Sequence, residues 1–174
     1  MNTYTYQLPL VKGSKKTIHI LNAKKEHVYT MKQTYKSIFH EFFDFWIGEL
    51  QLLCAFDGRD QEGKVVVQSK KKHYLTKRSD SILIMESDSY RAKMEDGDAI
   101  TPTYKIEGTN VQMKVTIDFN RLVKFYENGS VIAKIQLHFS KNKESELVID
   151  ELATIQQPLF YTIFAQMFYF VGEF

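Results

Sequence analysis

The sequence predicts a mainly β protein: a closed or nearly closed antiparallel barrel around one hydrophobic C-terminal helix, in a single domain over residues 1–174. Three observations carry that reading. Short apolar runs alternate with polar turns along most of the chain, about ten to twelve strands in all, which suits a barrel better than an open sheet. Residues 158–172, PLFYTIFAQMFYFVG, carry no charge and set apolar side chains all round a helix axis, so that helix must be enclosed. No Pro- or Gly-rich linker divides the chain, and its length suits one domain that buries about 70% of its unfolded surface.

At about 1.5 Å per residue the terminal helix is roughly 21 Å long, short of the ~30 Å hydrocarbon core of a bilayer. Enclosure by protein is therefore expected, in the interior that a barrel of half-polar strands leaves to be filled. Pro158 suits the first helical position, where its missing N–H costs nothing, and Gly172 suits the position just past the end. Thr162 and Gln166 stand one turn apart within the run, and buried polar groups need partners. They are expected to tie the helix to groups on the barrel.

The strands follow in order. Tyr4, Tyr6 and Leu8 alternate with Thr5 and Gln7, an edge strand stopped by Pro9. Ile18 and Ile20 lead to a polar loop at 22–25, and the chain returns through Val28, Tyr29 and Met31 as a hairpin. At residues 35–47, YKSIFHEFFDFWI, the period changes. Tyr35, Ile38, Phe39, Phe42 and Trp46 follow helical spacing, which predicts one amphipathic helix ending before Gly48. Residues 50–56 read as a strongly apolar strand and 57–63 (DGRDQEG) as its turn, with Val65 and Val67 on the return. Strands follow at 81–85 and 90–94, then an acidic turn at 95–98 and a fresh start at Pro102. Val111, Met113, Val115, Ile117 and Phe119 share one face. After Asn128-Gly129, a strong hairpin signal, Val131, Ala133, Ile135, Leu137 and Phe139 share another. A polar turn at 140–145 precedes the last strand, 147–149.

A meander of short antiparallel strands finished by one wholly apolar helix resembles the tubby C-terminal-like fold, in particular small bacterial and plant-type members related to the LURP-one and phospholipid scramblase branch. The resemblance is carried by the helix at 159–171, the hairpins at 18–31 and 123–139, and the aromatic insertion 35–46 ahead of the DGRDQEG turn. It implies a twelve-stranded barrel around a central helix, no catalytic site, and in some branches binding of anionic lipid or phosphoinositide through surface Lys and Arg. The cysteine-rich segment and terminal anchor of the scramblase branch are not evident, so lipid scrambling is not expected.

Composition narrows the function. A formal net charge of +2 gives no global drive towards nucleic acid. One cysteine, Cys54, excludes a disulfide framework and a multi-cysteine zinc site. The N-terminal residues lack the basic-then-apolar pattern of a signal peptide, so a cytoplasmic protein with no transmembrane span is expected, peripheral to the membrane if it binds lipid. Nothing in the sequence points to a cofactor.

The local charge concentration is SKKKHYLTKR. Lys70, Lys71, Lys72, Lys77 and Arg78 are candidates to hold an anionic headgroup, at about 1 kcal/mol each near a charged membrane. Against that, Lys70 and Lys72 of an extended strand point opposite to Lys71, and lysines on a solvated or edge strand also discourage aggregation. Phe39, Phe42 and Trp46 are candidates for contact with a protein partner or a second copy. The same aromatic face also suits packing over the barrel or a membrane interface, although Glu41 and Asp44 leave it without a cationic side.

Other constellations are weaker. Cys54 with His40 or His73 as base would need an exposed, activated thiol, but LQLLCAF is an apolar setting that suits an inert one. A hairpin there would let His19 and His27 face each other, yet two histidines make an incomplete metal site. The 57–63 turn lacks the order of a calcium-binding loop. The expectation is a non-enzymatic binding or scaffold domain that takes anionic phospholipid headgroups. A protein-interaction module working through the aromatic helix or a strand edge is the alternative. A carrier of small apolar ligands would require an empty lumen.

Overall fold

The computed structural model describes residues 1–9, 16–35, 54–71, 81–95, 102–138 and 143–171. Within them the chain forms β1 (Asn2–Tyr6), β2 (Ile18–Asn22), β3 (His27–Tyr35), β4 (Cys54–Arg59), β5 (Val65–Lys71) and β6 (Ser81–Met85). There follow β7 (Asp88–Met94), β8 (Thr103–Glu107), β9 (Gln112–Ile117), β10 (Leu122–Glu127), β11 (Ser130–Gln136), β12 (Ser145–Ile149) and the helix α1 (Pro158–Val171). Each strand pairs antiparallel with its sequence neighbour, and β1 closes the barrel on β12, Asn2 opposite Ile149 and Tyr6 opposite Ser145. The predicted architecture, a closed antiparallel barrel with a C-terminal helix as its axle, is what the molecule adopts.

Alternation builds the wall. In β9, Met113, Val115 and Ile117 are buried while Gln112 and Lys114 are exposed, because successive strand side chains point to opposite faces. Asn128 and Gly129 both have positive φ, 50° and 81°, the conformation a two-residue hairpin turn needs to match the twist of its strands.

The inward faces close on α1. Leu159 to Ala165 have no exposed surface. Phe160 meets Tyr90 of β7 edge-to-face at 5.0 Å, and Tyr161 meets Phe125 of β10 at 4.9 Å. Phe160 also stacks edge-to-face on Phe164 at 5.0 Å. Such pairs add about 0.5–1.5 kcal/mol each beyond their area burial. The Tyr161 hydroxyl donates to the Ile155 carbonyl at 2.7 Å, fastening the helix to the segment that leads into it.

Several expectations change. β1 is not an edge strand, since it is hydrogen-bonded to both β12 and β2. Tyr35 does not begin a helix: it ends β3, opposite Cys54 of β4. The strand expected over 50–56 instead has its described part at Cys54–Arg59, and its turn begins later, at Asp60. There the Asp60 carboxylate accepts the Glu62 and Lys64 amides at 3.0 and 2.9 Å, which makes it a hairpin turn.

Phe119 leaves the buried face of β9 and is 75% exposed. The strand has ended at Ile117, and Asp118 caps the following turn by accepting the Leu122 amide at 2.9 Å. A register shift between Phe125 and Tyr126 lets both Ile132 and Ala133 face inward while Val131 is only half-buried. Ser145, expected in a turn, is buried in β12 and accepts the His138 amide at 2.9 Å.

The helix polar groups also depart from expectation. The Thr162 hydroxyl donates to the Pro158 and Leu159 carbonyls at 3.0 and 3.3 Å, within its own helix and not to the barrel. A hydroxyl one turn along reaches those carbonyls without any help from the wall. Gln166 Nε2 is buried and has no hydrogen-bond partner among the described residues.

Candidate functional site

The predicted basic cluster is only partly within the described residues. Lys70 lies exposed on β5 opposite Ile82 of β6, and Lys71 follows opposite Ser81. β5 is paired on both sides, so it is not an edge strand. Lys72, Lys77 and Arg78 lie outside the described residues, as do Phe39, Phe42, Trp46 and the rest of the predicted helix at 36–47. Closure leaves no free strand edge among the described strands. The lumen is filled by α1, which excludes the apolar-ligand carrier.

The register assembles a different basic group on the outer wall. Lys93 of β7 stands directly opposite Lys105 of β8, and Lys105 directly opposite Lys114 of β9. Lys93 and Lys114 are exposed and Lys105 is half-exposed. Tyr126 of β10 continues the same row beyond Lys114. One step along the strands, Lys124 of β10 faces Lys134 of β11, with Thr116 on its other side.

Like charges directly opposite each other destabilise a sheet, and here one carboxylate answers several of them. Lys105 Nζ bonds Glu107 Oε1 at 2.8 Å. That hydrogen bond and the Lys105 charge hold the Glu107 carboxyl below its ordinary range, with smaller contributions from Lys93 and Arg91. The same bond raises Lys105. Lys114 has no salt bridge to a described carboxylate. A groove of about 570 Å³ crosses this wall, lined among others by Glu95, Lys105, Lys114, Thr116, Tyr126 and Asn128. Ammonium, hydroxyl and amide groups around one groove suit an anion with several oxygens.

Sequence reasoning missed this row because its lysines are scattered one to a strand from 93 to 134, and only the pairing register brings them together. The available signal was a lysine on the polar face of each successive strand.

The remaining candidates resolve unevenly. His19 and His27 do meet across the first hairpin, ring centroids 5.1 Å apart. Cys54 belongs to β4, and its proposed bases His40 and His73 lie outside the described residues. Among the described residues no three His, Cys, Asp or Glu side chains group as a metal cluster. No helix among them is long and apolar enough to cross a membrane.

A closed antiparallel barrel with its lumen occupied by its own helix leaves its outer wall and rims as the surfaces open to a ligand. The family model described as Tubby C-terminal like domain matches residues 4–171. The chain belongs to that family, one of binding and scaffold domains. Neither the curated proteins nor the solved structures gave a significant match.

Proposed function

We propose that this chain is a non-enzymatic, cytoplasmic binding domain that takes anionic phospholipid headgroups at the inner membrane face. The observation that supports the reading is the Lys93, Lys105 and Lys114 row, three cations set opposite one another on adjacent strands. Strands about 4.8 Å apart hold their ammonium groups within reach of one phosphorylated headgroup or of neighbouring ones. Each lysine near an anionic surface contributes about 1 kcal/mol, and an anion docked there also relieves their mutual repulsion. Lys124 and Lys134 extend the contact, and Lys70 and Lys71 at the end of β5, with Lys72, Lys77 and Arg78 after it in sequence, add a second basic segment.

Vesicle co-sedimentation tests the proposal. The protein is expected to sediment with vesicles containing anionic lipid and to remain in solution with zwitterionic ones, and the binding is expected to weaken as salt rises. Replacing Lys93, Lys105 and Lys114 together by Gln is expected to reduce binding by about a hundredfold, at about 1 kcal/mol per lysine, with no loss of thermal stability. Equal recovery with both vesicle types would overturn the lipid reading.

A further inference from the structure

Across the barrel from the lysine row, the β2–β3 hairpin carries a second arrangement. A register shift between Ile20 and Leu21 sets His27 opposite Leu21, while His19 lies opposite Thr30. The offset brings the two imidazoles together diagonally on the outer wall, centroids 5.1 Å apart and planes inclined at 68°. His27 Nε2 is buried and has no hydrogen-bond partner among the described residues. The backbone beneath it is held from the next turn, where Gln61 Nε2 donates to the His27 carbonyl at 2.5 Å.

We propose that His19 and His27 form a two-imidazole clamp for a divalent late transition-metal ion, of the class of Zn²⁺, Ni²⁺ and Cu²⁺. Metal–nitrogen bonds of about 2.0–2.1 Å meeting at a tetrahedral angle place two imidazole centroids about 5 Å apart, the spacing found here. Imidazole nitrogen selects these ions over Mg²⁺ and Ca²⁺, which take oxygen ligands. Local charge permits a cation. Glu26 adjoins His27, its carboxylate accepting the Asn22 side-chain amide at 2.8 Å. Arg59, opposite Thr30 on the adjoining strand, is turned towards Asp57 and the Gly63 carbonyl. The ion enters from the side of exposed His19, where water takes its remaining positions.

Calorimetric titration of the metal-free full chain with ZnCl₂, and separately with MgCl₂, tests the clamp. One Zn²⁺ is expected to bind per chain and Mg²⁺ none. Loss of one of two ligands in His19→Ala is expected to weaken Zn²⁺ binding by about tenfold or more, whereas His138→Ala leaves it unchanged. His19 is exposed, so its variant is expected to melt like the parent. His27→Gln provides the second arm, with the same loss of binding expected. Absence of saturable Zn²⁺ binding, or binding undiminished in both histidine variants, would overturn the clamp without touching the lipid proposal.

Discussion

Tyr6 is 1% exposed, and its hydroxyl has no partner among the described residues. Burial raises its pKa far above the ordinary phenol value, raises that of Tyr161, and pushes Tyr104 up to about 12. A folded-state pKa above the unfolded value of about 10 means the neutral phenols favour folding. That contribution is complete below about pH 10 and is lost as pH rises through the folded values. The barrel is therefore expected to unfold in alkali from about pH 10 upward. Tyr6→Phe removes one such group together with a buried unsatisfied oxygen. It is expected to be neutral to about 1 kcal/mol more stable at pH 7, with a higher alkaline midpoint, both read by urea and pH titration of circular dichroism. Burial at single positions was legible wherever alternation ran on through a strand. It failed at Phe119, where the strand stopped and a turn turned the ring outward.

β4 and α1 meet at Gly58, and the fit leaves no room for a side chain. A Cβ there would stand 2.8 Å from Leu159 Cδ1 and 3.2 Å from Ile163 Cδ1. Both leucine and isoleucine are themselves wholly buried, so neither tip can swing away into solvent. Gly58→Ala is expected to cost about 1–3 kcal/mol by overpacking, seen as a lower denaturation midpoint at an unchanged slope. Sequence reasoning placed Gly58 in a loop because Asp-Gly usually marks a turn. It lies in a strand because its missing side chain lets the helix approach. Tyr35 erred the other way: its spacing with the aromatics that follow suggested a helix start, whereas pairing with Cys54 keeps it in β3. The basic groups divide likewise: the dense 70–78 run was conspicuous, while the lysine row depended on register.

Closure links residues 2 and 149 of the chain, and α1, which follows the last strand, supplies the centre of the core. The barrel wall alone would enclose a void lined by Phe56, Val67, Leu83, Phe125 and Ile135, all buried against the core. A chain ending at residue 157 is expected to lose cooperative unfolding and to bind a hydrophobic dye strongly, as compact states without fixed packing do. Retention of a sharp urea transition in that truncated chain would contradict the role of the helix as the plug. Because wall and plug depend on each other, folding requires contacts between distant parts of the sequence and is expected to be slow for the chain's size.

By itself the sequence determined the class of fold, since strand alternation and an all-round apolar helix are local patterns that leave few ways to bury their surface. It also determined the terminal helix and the Asn128-Gly129 turn, whose residue types specify backbone geometry directly. Only the tertiary structure decided which lysines stand side by side, which histidines meet, and where a glycine replaces a wall residue. Those relations depend on strand register and on helix depth in the lumen, which are set by the fit of distant side chains and have no signature in any short window of the chain.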